Sequence, residues 1–167
     1  MSEKSEKSVG LIVLTEIPGM GLCAILRERG YFNLEKMQPE SWTGACQVTA
    51  HGRLEEGEDF YTAIYREMKE ELGEKFAYSS PMRLEVSRLQ IKNKEIVTFT
   101  FKVDPDRLKE IRLSFESGSI RLLRRHEVNN IVDITSFDKI EGVPDRKTIA
   151  MFLDEKEAVA KAFALFS

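Results

Sequence analysis

The chain is poor in residues that carry redox or soft-metal chemistry. Its two cysteines, Cys23 and Cys46, are too few and too far apart for a disulfide scaffold or a structural zinc site, so a reducing compartment is expected. Its two histidines, His51 and His126, lie far apart and cannot build a histidine-rich metal centre. No apolar run approaches the ~20 residues of a membrane span. The longest, residues 9–14, is broken by Gly10. Residues 1–8 repeat Ser, Glu and Lys with no apolar stretch of signal-peptide length, and they are expected to form a flexible tail. Large net charge is also missing: −3 argues against bulk attraction to nucleic acid or membrane. The expected setting is cytoplasmic, with neither nucleic acid nor membrane as partner.

What remains is an ordinary globular composition. A length of 167 residues suits one core, so residues 9–167 are expected to form a single domain. Residues 9–15 and 21–27 read as a β-hairpin around Ile17-Pro18-Gly19. Residues 30–41 lack a clean period and read as a long loop. From 58 to 72 the period changes: Phe60, Ile64, Met68 and Leu72 recur every fourth residue along one helical stripe, and Gly73 supplies the stop. Residues 83–91 and 95–103 read as paired strands, 105–112 as a short helix or loop, 114–127 as irregular, and 130–134 as a last strand. A final helix is expected after Pro144 to about residue 165, with Ile149, Phe152, Leu153, Ala160 and Phe163 roughly on one side. This order makes an α+β protein with a mixed sheet.

The chemistry concentrates in residues 52–73. On a helix Glu67, Glu70 and Glu71 stand at i, i+3 and i+4, so three carboxylates project from one patch. Their mutual repulsion reverses sign when a divalent cation binds, and Mg²⁺ prefers oxygen ligands and bridges to phosphates. Three glutamates alone describe many solvated helix faces. Here, however, Gly52, Glu58, Arg66, Glu67, Glu70, Glu71 and Gly73 occupy all seven fixed positions of the pattern Gly-x5-Glu-x7-Arg-Glu-U-x-Glu-Glu-x-Gly-U, where U is bulky and apolar. At residue frequencies near ~7% the chance of that is on the order of 10⁻⁸ per starting point. Met68 fills the first U; the last is Glu74, a charged departure past the helix end.

On these residues the chain resembles the Nudix hydrolase family. The resemblance implies an α/β/α sandwich, a central mixed β-sheet flanked by helices. It also implies Mg²⁺-dependent cleavage, with Mn²⁺ as a substitute, of the diphosphate linkage in a nucleoside diphosphate derivative. Carried over by position, Glu67 and Glu71 are the principal metal ligands, assisted by Glu70 and the backbone carbonyl of His51. Arg66 pairs with Glu58 and orients the catalytic carboxylates. The proton acceptor in this family is either a box glutamate or one from a later loop, here Glu127 or Glu116, of which Glu127 is favoured because it precedes the expected last strand. Homodimers are frequent in the family.

Substrate choice lies outside the box. Tyr31, Phe32 and Trp42 flank the long loop, where they either pack, the commoner role, or stack on a base. Arg121, Arg124 and Arg125 either hold outer phosphates or are plain surface cations. Two other functions fit the same fold. Residues 42–46, Trp-Thr-Gly-Ala-Cys, are similar to a segment of isopentenyl diphosphate isomerase, whose histidine-rich site this chain lacks. A non-catalytic nucleotide sensor is the other, although the box here is intact.

Overall fold

Alternation of apolar residues on both sides of the first strands dictates a sheet covered on both faces. The computed structural model describes residues 5–114 and 117–166. β1 (Glu6–Ile17) and β2 (Gly21–Arg29) form the expected antiparallel hairpin. β1 begins at Glu6, which pairs with Lys94, so residues 6–8 belong to the sheet and not to a tail. The long loop after β2 contains two short paired strands, β3 (Phe32–Asn33) and β4 (Gln38–Pro39). β5 (Cys46–Gln47) and β6 (Ala50–Arg53) follow, then α1 (Phe60–Leu72) and a helix missed by the sequence reading, α2 (Glu74–Tyr78). β7 (Leu84–Ile91) and β8 (Lys94–Val103) pair antiparallel, and β8 runs parallel to β1. Pro105–Glu110 is a short 3₁₀ helix.

Two expectations need correction. Within the stretch read as irregular, β9 (Ser117–Arg124) is a full strand paired with β2. Its Ile120 and Leu122 pack on one face of the sheet and Leu123 on the other, so no alternation shows in the sequence. The final helix, α3, spans only Leu153–Leu165. The chain before it is extended, with β11 (Ala150–Met151) pairing parallel to β10 (Val132–Asp133). Its buried residues are Ala158, Val159, Ala162 and Phe163, while Leu153 is 53% exposed. Apolar residues sit on several sides of this alanine-rich helix, so only packing selects the face.

The sheet order is β5-β2-β1-β8-β7, with β6 also on β1 and β9 also on β2. α1 and α2 cover one face, over Val9, Leu11, Val13, Ile25 and Phe99. α3 covers the other, over Ile12, Leu14, Ala24 and Leu26. This is the α/β/α sandwich.

The feature that places the site is a fork. β1 and β2 pair from Ile17↔Gly21 to Val13↔Ile25 and then part. β6 takes over beside β1 and β5 beside β2. Thr49, fully buried at the vertex, accepts the Val13 N–H at 2.9 Å and donates its hydroxyl to the Ile25 carbonyl. One side chain thus serves a backbone group on each departing strand. Glu155, in the first turn of α3, accepts the Val48 N–H at 3.2 Å and ties α3 to the same segment. Burial pushes the Glu155 carboxyl up to about 7 despite that hydrogen bond.

Thr49→Val keeps the shape and removes both bonds, so it is expected to lower unfolding free energy by about 1–3 kcal/mol in chemical denaturation. Glu155→Gln keeps an acceptor for Val48 and removes a carboxyl that the fold holds more protonated than the unfolded chain does. Stability should therefore fall in the wild type as pH rises toward and through about 7. The variant should melt above wild type near pH ~8, with the gain shrinking toward pH ~5.

Candidate metal and phosphate site

α1 starts where Asp59 caps it, its Oδ1 accepting the Thr62 N–H at 2.7 Å. Ala63, Ile64, Met68 and Leu72 are buried and lock the helix to the sheet, with Phe60 partly buried beside them. Gly73, at φ 100, ends it and gives its N–H to the Lys69 carbonyl. Glu74, the charged residue at the last apolar position of the box, is exposed and opens α2, where Phe76 is fully buried instead.

With that face fixed, Glu67 and Glu71 turn toward the fork and Glu70 toward solvent; their side chains are 12%, 15% and 58% exposed. Arg66 organises one half. Its Nε and Nη2 each donate to Glu58 at 2.9 Å, a two-point clamp. Its Nη1 reaches Glu67 at 2.8 Å and Glu70 at 3.4 Å, and its Nη2 also donates to the Arg53 carbonyl. The Arg66 hydrogen bonds hold the Glu58 carboxyl down at about 2. Glu67 is raised, chiefly by desolvation, with Arg66 pulling the other way.

The other half was not foreseen. Ile25 of β2 lies in the core under α1, and Arg27, two residues on, points to the same face. It is the one buried charged residue among the described residues. Its Nη2 donates to Glu71 Oε1 at 3.1 Å, while Glu71 Oε2 accepts the His51 N–H at 2.9 Å. Desolvation pushes Glu71 up to about 7, against the pull of Arg27 and of the His51 N–H. A charge at an inward strand position demands a buried partner, and that was the available sequence signal. Around it, Gln47 Oε1 lies 2.6 Å from His51 Nε2 and accepts from Arg29 Nη1 at 3.5 Å. Arg29 also binds the Ser41 carbonyl and Glu40, rooting the β3–β4 loop beside the site.

Gly52 is required by space: a Cβ there would run into the Glu67 carboxylate. The donor set therefore suits a hard divalent cation, with Glu67 and Glu71 close to the His51–Gly52 backbone and Glu70 beside Glu67 on Arg66. Among the described residues, however, no three acidic, histidine or cysteine side chains converge to hold an ion as they stand. Glu67 contacts Arg66 at 2.8 Å instead, and Glu71 contacts Arg27 at 3.1 Å.

Residues expected from elsewhere in the chain are not brought to this patch. Glu127 accepts the Arg124 N–H, closing its own 3₁₀ turn. Arg124, Arg125 and His126 line a cleft with Glu16 and Leu22. Glu16 lies about 20 Å along β1 from Gly10, the partner of His51. Glu116 lies outside the described residues. Arg121 is on the α3 side, bound to Glu28 at 3.3 Å and to the Arg146 carbonyl. Trp42 donates Nε1–H to the Phe137 carbonyl and packs edge-on against Phe152, so it serves packing. Tyr31 is 77% exposed on the loop rooted by Arg29. Cys46 is buried on the α3 side, its thiol pushed up to about 12 by desolvation, which does not suit the proton transfer of an isomerase. No helix among the described residues is long and apolar enough to cross a membrane.

Comparison with known proteins agrees with the fold. A mutT/nudix family protein from Listeria innocua superposes with a TM-score of 0.66 at 17% identity, covering 99% of this chain and 96% of that one. The NUDIX domain of Shewanella oneidensis NrtR complexed with ADP ribose gives 0.62 at 9% identity, covering 100% and 91%. A C. elegans Ap4A hydrolase gives 0.56 at 16%, covering 96% of each chain. No curated protein sequence matches. The family described as NUDIX domain matches residues 6–146, and the chain belongs to the Nudix family.

Proposed function

We propose that this protein is a cytoplasmic Mg²⁺-dependent hydrolase, with Mn²⁺ as substitute, that cleaves the diphosphate linkage of a nucleoside diphosphate derivative. The observation that carries the reading is the docking of Glu71 on the His51 N–H, beside a Gly52 whose missing Cβ leaves room for the Glu67 carboxylate. Two neighbours support the ligand class by name, an Ap4A hydrolase and a domain complexed with ADP ribose. The two buried free thiols, Cys23 and Cys46, suit a reducing cytoplasm.

In this reading Glu67 and Glu71 hold the cation, with Glu70 and the His51 carbonyl assisting. The bound ion would neutralise the diphosphate and make the attacking water more acidic. Water attacks phosphorus, a new P–O bond forms, the anhydride P–O bond breaks, and the proton passes to a carboxylate. Glu70 suits that last role, being exposed and held only by a 3.4 Å contact to Arg66. Arg66, clamped by Glu58, fixes the direction of Glu67 and acts through it.

Glu71→Gln keeps the volume and removes the charge. It is expected to cost Mg²⁺-dependent hydrolysis about 100-fold or more in a protein that still folds cooperatively but melts about 5–10 °C lower, because Arg27 loses its counter-charge. Near-normal turnover on a panel of nucleotide sugars, dinucleoside polyphosphates and nucleoside triphosphates would refute the metal assignment. Wild type that binds these nucleotides but releases no phosphate product would instead identify a sensor. Gly52→Ala displaces the Glu67 carboxylate and is expected to raise the Mg²⁺ needed for half-maximal activity by about 10–100-fold, with an unchanged circular dichroism spectrum.

A further inference from the structure

Arg27 stands where the strand pattern calls for an apolar residue. Burying a guanidinium is costly, and it persists only when paired. Its partner across the sheet is one of the carboxylates assigned to the cation, at 3.1 Å. The second oxygen of that carboxylate is held by the His51 N–H. Both oxygens of Glu71 are thus held by donors of the protein itself, one from the sheet and one from the backbone. Arg66 cannot supply this restraint, because its contacts go to Glu58, Glu67, Glu70, Glu55 and the Arg53 carbonyl.

We propose that Arg27 is a place-holder for the metal: a positioning residue whose guanidinium neutralises Glu71 in the metal-free protein, keeps it docked on the His51–Gly52 backbone, and competes with the cation for it. The inference rests on the reading of this patch as a Mg²⁺ site. Two consequences separate it from an ordinary structural ion pair. Removing Arg27 makes the fold depend on the metal, because the cation then supplies the only counter-charge to Glu71. It also strengthens metal binding, because the positive charge that competes for Glu71 from 3.1 Å away is gone.

The test compares wild type, Arg27→Met and the double variant Arg27→Met/Glu71→Gln in thermal melts and in calorimetric titration with Mg²⁺. Melts and titrations are run near pH ~9, well above the ordinary carboxylate range. Without Mg²⁺, Arg27→Met should melt about 5–10 °C below wild type. Saturating Mg²⁺ should recover most of that loss, with binding roughly tenfold tighter than to wild type. The double variant, lacking both charges, should melt above Arg27→Met without Mg²⁺ and gain little from it. If Arg27→Met is unfolded without Mg²⁺, rescue by Mg²⁺ or by the added Glu71→Gln is the expected result, and rescue by neither overturns the proposal. Equal affinities and equal Mg²⁺-induced melting shifts in wild type and Arg27→Met overturn the place-holder while leaving the metal site standing. Wild type that binds no Mg²⁺ overturns the site itself, and Arg27's role with it.

Discussion

Everything in this site depends on two strands that stop pairing. β1 and β2 separate beyond Val13 and Ile25, and a parting of strands leaves backbone donors and acceptors that must find other partners. Thr49 supplies both kinds with one hydroxyl, and the segment around it becomes β5 and β6. Because the vertex is fixed, His51 and Gly52 lie against the helix face that carries Glu67 and Glu71. Close approach is then possible only because residue 52 has no side chain. The same segment is held from the opposite face by Glu155, so both layers of the sandwich fix its position.

Electrostatics determines how the carboxylates rest in that frame. Five glutamates of the box region, Glu55, Glu58, Glu67, Glu70 and Glu71, meet two arginines of different standing. Arg66 is local, eight residues from Glu58 and one from Glu67, and its two-point clamp on Glu58 makes it a rigid strut. Arg27 comes from the sheet and meets Glu71 in near-complete burial. Low dielectric strengthens that pair and equally makes either member costly alone. The arrangement therefore holds carboxylates apart on guanidiniums although their chemistry favours a shared cation.

Some of this was legible in the chain. The stripe Phe60, Ile64, Met68, Leu72 and the spacing of Glu67, Glu70 and Glu71 follow from helical periodicity, and Asp59 and Gly73 bound the helix at both ends. The β1–β2 and β7–β8 hairpins were equally plain, because alternation and a turn are local signals. β9 was not, since Ile120 and Leu122 pack partly buried on one face and Leu123 is buried on the other, which blurs the period. α3 was placed too early because residues before Leu153 carry apolar side chains that serve β11 and the Trp42 cluster instead.

The role of later residues could not be read in this way. Glu127 precedes a strand, as expected, yet the register that pairs Arg124 with Cys23 puts it at the far end of the sheet from Arg27. The sequence by itself determined the family, the helix and the spacing of its three glutamates. Those depend on spacings within a few turns, where geometry is set by the helix alone. Only the tertiary structure decided that Arg27 faces Glu71, forty-four positions away, and that Gly52 leaves room for Glu67. Such pairings depend on strand register and on where β1 and β2 part, which no local spacing encodes.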